Sequence, residues 1–253
     1  MRLILKFYIA RPLFEKERLD AIQELINLHL PAWAVRLVVG EDEDAPDALE
    51  VGPEESLYIA ASEATPVERG LSSTVISGSY EDLLFFVEGC RSTLPPELNR
   101  FAVEIVDMET VEGKTLAEWA RDFFLAVPAR LPVRYAMAYS AEEFDAKNMV
   151  RTPEVVEAVG VQIEKALPGL YWLNYFGPPY LQLIGKERLL SAPAYEVQAV
   201  ADGVFIGSGD NPKEWNGLEY KGREQQVITH LGEQFFFSKQ DPRRETKAPD
   251  FRS

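Results

Sequence analysis

Hydrophobic and polar positions alternate from Leu3 to Ala10, in a stretch rich in β-forming residues, which predicts a first strand. Pro12 suits the opening turn of a following helix, where a missing N–H costs nothing. Leu19, Ile22, Leu25, Ile26 and Leu28 to Leu30 then carry helical spacing over Phe14 to Leu30, and Pro31 ends it. Trp33, Val35, Leu37 and Val39 share one face of a strand that Gly40 closes.

The middle of the chain repeats strand, helix, strand. Ser79 begins Ser-Tyr-Glu-Asp-Leu-Leu-Phe-Phe-Val-Glu, where a serine with an acid three residues on predicts a capped helix ending near Leu94, before Pro95-Pro96. Phe101, Val103 and Ile105 alternate as a strand. Thr115 to Ala126 reads as a helix burying Leu116, Trp119, Phe123 and Phe124, stopped by Pro128 and Pro132 before a strand over Val133 to Tyr139. Further on, Val155, Val156, Val159 and Ile163 predict a helix over Pro153 to Ala166, and the aromatic run that follows leads into Leu181 to Ile184 and a stop at Gly185. Ala194 to Ala199 and Gly203 to Gly207 predict a hairpin turning at Asp202-Gly203.

These segments lack the continuous Val/Ile runs of a fully buried parallel sheet. The expected fold class is therefore α+β: a mixed, mainly antiparallel sheet with helices packed on it, and two similar strand, helix, strand halves as an option. One domain over residues 1–238 is expected, with sub-halves near 1–96 and 97–238. Residues 239–253 are polar and mixed in charge, so a loosely held tail is expected there.

Charge narrows the list of partners. The 253 residues carry a formal net charge of −15, which offers no cationic field to nucleic acid or anionic lipid. No apolar run approaches the roughly 20 residues that span a bilayer. Lys6 and Arg11-Pro12 break the opening apolar run, so it reads as a strand and not as a secretory signal. With one cysteine, Cys90, internal disulfides are impossible, and a cytoplasmic location is expected. Residues 41 to 55 hold Glu41, Asp42, Glu43, Asp44, Asp47, Glu50, Glu54 and Glu55 without a lysine or arginine. This stretch is either a solvated loop or an electrostatic lure for a basic partner.

Candidate chemistry is sparse. The two histidines, His29 and His230, lie far apart in sequence, and His29 suits the C-terminal end of a helix. No zinc, calcium, phosphate-loop or nucleophile-elbow spacing occurs, so no metal or cofactor is expected. Gly207-Ser-Gly-Asp210 reads as a turn. Cys90, beside Arg91, has no histidine in a pairing arrangement and reads as a packing residue. The chain is expected not to be an enzyme.

Leu170-Tyr-Trp-Leu-Asn-Tyr-Phe-Gly-Pro-Pro-Tyr-Leu181 stands apart. Tyr171, Trp172, Tyr175, Phe176 and Tyr180 cluster around a stiff Gly-Pro-Pro corner, either as a core aromatic plug where a strand turns into a helix or as a protein-binding surface. This segment, with Leu-Ile-Gly-Lys-Glu-Arg-Leu-Leu (183–190) and Pro193-Ala-Tyr195, resembles the immunity protein 52 family over residues 170 to 200. The resemblance implies an immunity protein of type VI secretion, which binds and neutralises a toxin with a restriction-endonuclease-like nuclease domain and needs no cofactor. The residues it carries over are Trp172, Asn174, Phe176, Gly177, Pro178, Pro179 and Tyr180, with Tyr175 between them, as structural or interface positions. Two other readings compete: a secretion-system adaptor, and a small-molecule binder or enzyme using Tyr175, Asp210 and His230.

Overall fold

Alternating burial along the first strand starts the architecture. The computed structural model describes residues 1–30, 34–39, 49–51, 55–64, 74–80, 83–88 and 97–252. In it, β1 (Arg2–Ala10) buries Leu3, Leu5, Phe7 and Ile9. The fold is α+β with mainly antiparallel strand pairing. The chain divides into two compact units, Leu5–Val133 and Arg134–Ser253, the latter including Met1–Ile4.

In the first unit, β1 is followed by α1 (Lys16–His29), β2 (Ala34–Val39), β3 (Leu49–Val51), α2 (Leu57–Ala64), β4 (Thr74–Tyr80), β5 (Leu83–Glu88) and β6 (Leu98–Val106). A short hairpin, β7 (Thr110–Val111) and β8 (Lys114–Thr115), leads into α3 (Leu116–Ala126). The strands lie in the order β1-β6-β5-β4-β2-β3, with β6-β5, β5-β4, β4-β2 and β2-β3 antiparallel. Helix α1 starts at Lys16, so Pro12 precedes the helix and does not sit in its first turn. It turns Leu19, Ile22, Leu25 and Ile26 inward, as their spacing predicts. Thr115 and Glu118 cap α3 reciprocally: the threonine hydroxyl accepts from the Glu118 N–H at 3.3 Å, and the Glu118 carboxylate accepts from the Thr115 N–H at 3.0 Å. Helix α3 buries Trp119, Phe123 and Phe124, each worth about 1.5–3 kcal/mol of transfer free energy. Phe7 stacks on Phe101 at 5.7 Å, and Trp119 stacks on Phe123 at 5.2 Å.

The second unit holds β9 (Val133–Ser140), α4 (Ala141–Asn148), β10 (Met149–Arg151), β11 (Val156–Ala158), β12 (Leu173–Phe176), α5 (Pro178–Ile184), α6 (Lys186–Leu190), β13 (Glu196–Val200), β14 (Gly203–Gly207) and α7 (Leu218–Leu231). Its sheet runs β13-β14-β12-β9, every neighbouring pair antiparallel. The polar stretch beyond Ser238, expected to be loose, is tethered. The Lys247 N–H donates to the Gln234 carbonyl at 2.8 Å, and the Phe251 ring is buried 6.0 Å from that of Tyr180.

Two predicted elements change type. The helix expected after Ser79 is instead the end of β4 and all of β5. Leu83 and Val87 are buried while Leu84 and Phe86 are half-buried, and β5 pairs on both edges. A continuous Leu-Leu-Phe-Phe-Val run does not separate a buried strand from a buried helix by period alone. The helix expected over Pro153–Ala166 does not form: Val156–Ala158 is β11, an exposed strand paired antiparallel with β10, where β-branched valines favour extended backbone, and Ile163 is buried in a turn beyond it. The neighbouring helix is α4, which begins earlier; its N-cap Ser140 accepts from the Glu143 N–H at 3.1 Å. The Gly-Pro-Pro segment is a strand-to-helix corner, as expected of an aromatic plug there: Leu181 to Ile184 completes α5, and Pro178 and Pro179 occupy a first helical turn that needs no N–H.

Candidate functional site

The aromatic segment turns inward. Trp172, Asn174, Tyr175, Phe176 and Tyr180 are each no more than 1 % exposed; Gly177 and Pro179 are buried and Pro178 half-buried. The Trp172 indole N–H donates to the Gly209 carbonyl at 3.0 Å. Asn174 clasps its own turn, accepting from the Tyr171 N–H at 3.1 Å and donating to the Tyr171 carbonyl at 2.8 Å. Tyr135, Phe176 and Tyr180 pack with ring centroids 5.3–5.8 Å apart. The Gly-Pro-Pro corner is the junction of β12 with α5, so these rings hold the second unit together and do not line its surface.

Tyr175 donates its hydroxyl proton to Asp202 at 2.7 Å; burial, and then that carboxylate, push the phenol far above its ordinary pKa. Above it, Gly203 makes a close approach. A Cβ there would lie 2.5 Å from both the Phe176 carbonyl oxygen and the Tyr175 hydroxyl. The hairpin turns at Ala201 and Asp202, with Gly203 paired to Val200 inside β14 and the positive φ, 49°, at Ala201. The Asp-Gly signal marks the correct hairpin, but its glycine serves packing.

The small-molecule reading required Tyr175, Asp210 and His230 to converge. They engage different neighbours: Tyr175 meets Asp202, Asp210 is exposed, and the His230 ring lies against Ser191 and the Arg188 carbonyl, fastening α7 to the end of α6. Ser208, from the Gly-Ser-Gly stretch, donates to the Tyr171 carbonyl at 2.7 Å. His29 ends α1 with its ring 5.2 Å from that of Phe123. Burial first, then the charge of Lys114, lower its pKa. Cys90, Glu41, Asp42, Glu43, Asp44 and Asp47 lie outside the described residues, and Glu50 falls in β3.

A polar cluster that motif reading did not find joins α4 to α7. Lys147 donates to Glu143 and to Glu224, each at 2.7 Å, and to the Leu170 carbonyl at 2.5 Å. Its ammonium lies 5.0 Å from the Tyr171 ring centroid. Glu143 is fully buried and also accepts from the Tyr220 hydroxyl at 3.1 Å; burial pushes its carboxyl upward, against the pull of Lys147. The Glu143–Lys147 and Tyr220–Glu224 spacings are helix i,i+4 patterns visible in sequence, but nothing local links the two pairs. The cluster forms one wall of a cleft of about 430 Å³, bordered also by Lys221, Glu233, Lys239 and Arg244. Among the described residues, no group of histidine, cysteine, aspartate and glutamate side chains could hold a metal ion. Nor is any described helix long and apolar enough to cross a membrane.

No family model matches the sequence, and no curated protein does. Among solved structures, the fold is similar to that of the Pseudomonas aeruginosa T6SS protein PA0821, with a TM-score of 0.51 and 14 % identity over 89 % of this chain and 72 % of that one. At that identity, what the two chains share is a fold.

Proposed function

We propose that this chain is an immunity protein: it binds a cognate antibacterial toxin delivered by type VI secretion and neutralises it by direct contact, in the cytoplasm of the cell that makes both. The observation that carries this reading is the fold shared with a T6SS protein. The resemblance of residues 170–200 to an immunity family points the same way from the sequence side. The net charge of −15 fits a basic partner such as a nuclease, whose phosphate track is cationic. On this reading the chain has no catalytic activity and needs no cofactor. The buried aromatic segment shapes the fold, leaving recognition to other surfaces, with the acidic stretch 41–55 as the proposed lure.

Co-expression tests the proposal. The neighbouring gene is induced in a sensitive bacterium with and without this chain, and survivors are counted. Killing by the neighbour alone, rescue by this chain and a co-purifying complex are expected; killing without rescue would overturn the assignment. The shared fold also suits a secretion-system adaptor, which would bind its effector without suppressing the effector's activity.

A further inference from the structure

The hairpin of β10 and β11 forms a sheet of two strands and no more. Every residue of β11 is exposed, and Val155 and Val156 are 46 % and 60 % exposed. A two-stranded hairpin is marginal on its own, yet this one is held firmly at both ends. At its base the buried Asn148 donates to the Val159 carbonyl at 2.9 Å and to the Pro168 carbonyl at 3.0 Å, and accepts from the Tyr171 hydroxyl at 2.5 Å. Gly160 then turns the chain with φ 67°, where a Cβ would lie 2.1 Å from the Phe237 ring. At the tip the Thr152 hydroxyl accepts from the N–H groups of Glu154, at 3.3 Å, and Val155, at 3.0 Å.

The phase of the ladder decides which backbone groups remain open. The Thr152 N–H donates to the Val155 carbonyl at 2.8 Å, and the Val159 N–H to the Asn148 carbonyl at 2.7 Å. Hydrogen-bonded pairs alternate along antiparallel strands, so Val150 and Glu157 form the next such pair between these two. Val156 and Ala158 therefore turn their N–H and C=O groups away from β10. Among the described residues, no group bonds them. The opposite edge is occupied, since Lys239 donates to the Met149 carbonyl at 2.5 Å. The open edge is also undefended: β11 carries no lysine, proline or bulge, the usual devices against strand pairing. Its charge has one sign. Arg151 is paired with Asp145, which leaves Glu154 and Glu157 without an ion pair among the described residues.

We propose that β11 is a docking strand, whose outer edge takes an extended segment of a cationic protein; this rests on the immunity reading, which makes that protein the toxin. Backbone pairing satisfies Val156 and Ala158, the exposed valines give the added strand an apolar surface, and Glu154 and Glu157 meet basic side chains. A second copy of this chain is disfavoured as occupant, because each copy carries a net charge of −15.

The full-length chain is mixed with the purified product of the neighbouring gene, and amide hydrogen exchange is compared with that of the chain alone. The Val156 and Ala158 amides should exchange at least about tenfold more slowly in the complex. Ala158→Pro removes an N–H that no ladder bond uses, so it spares the hairpin and blocks its edge; it should weaken binding at least about tenfold. Glu154→Lys with Glu157→Lys, both on exposed residues, should slow association about tenfold at low salt. Leu218→Ser, 91 % exposed on α7, should leave binding unchanged. No complex with the native chain overturns the immunity reading, and this occupant with it. A complex in which the Val156 and Ala158 amides exchange as before, or which both hairpin variants leave intact, overturns the docking strand alone. Protection of those amides that rises with the concentration of this chain by itself identifies a second copy as the occupant and overturns the proposal.

Discussion

With Lys147 replaced by methionine, Glu143 loses the cation that compensates its complete burial, and Glu224 loses the same partner. Breaking a buried ion pair from one side costs roughly 3–5 kcal/mol. Lys147→Met should therefore lower unfolding stability by about that amount, and Glu143→Gln in the same chain should recover much of it. Urea unfolding of both variants measures this. The single variant also has a larger pH dependence than the native chain, whose Glu143 carboxyl is already raised. Its Glu143 carboxyl, raised by burial and no longer held down by Lys147, binds a proton more tightly when folded. The deficit should shrink below the ordinary glutamate pKa and grow as pH rises through the folded value. His29 behaves with the opposite sign, since its folded pKa lies below the ordinary 6.5. Its contribution is fully present above that value and is lost as pH falls through the folded one. Urea midpoints between about pH 5 and 8 should fall on the acid side, and His29→Gln should flatten the trend. The surroundings of Glu143 are not readable from the sequence alone, because Tyr220 stands 77 residues away and no local pattern reports their contact.

Elements were legible wherever periodicity and punctuation agreed. β1, α1 and α3 follow their apolar spacing, and the β13–β14 hairpin follows its Asp-Gly turn signal. β5 went unread because five consecutive apolar residues have no period, and a chance Ser-x-x-Asp beside them imitated a cap. The same kind of signal was genuine at Ser140-x-x-Glu143, where α4 begins. The Gly-Pro-Pro corner was visible as a rigid turn from strand to helix, since Pro178 and Pro179 suit the first turn of α5. Two glycines separate packing from propensity. Gly203→Ala drives a Cβ into the Phe176 carbonyl and the Tyr175 ring, and should cost about 1–3 kcal/mol. Gly222, inside α7, has nothing within 4 Å of the corresponding position, so Gly222→Ala should stabilise the chain by about 0.5–1 kcal/mol. Thermal melts of the two variants should move in opposite directions.

At the scale of the whole molecule, net charge adds to the proposed function that the shared fold carries. An acidic chain approaching a cationic toxin gains association rate from long-range attraction, which salt screens. Neutralising Glu41, Asp42, Glu43, Asp44, Asp47 and Glu50 together should slow association about tenfold at low salt and change little at high salt, as stopped-flow mixing would register. An unchanged rate at low salt would dismiss that stretch as the lure. Fold class was accessible from sequence at this scale, because the absence of continuous valine and isoleucine runs speaks to strand arrangement. The cleft was not, since its residues come from α4, α7 and the polar segment after Ser238, among others. The most direct test of the proposed neutralisation by contact is a titration of the purified product of the neighbouring gene with this chain, while that protein's toxic activity is followed. Activity falling linearly to zero at one equivalent is the predicted result. Full activity retained inside a stable complex would contradict immunity and identify an adaptor.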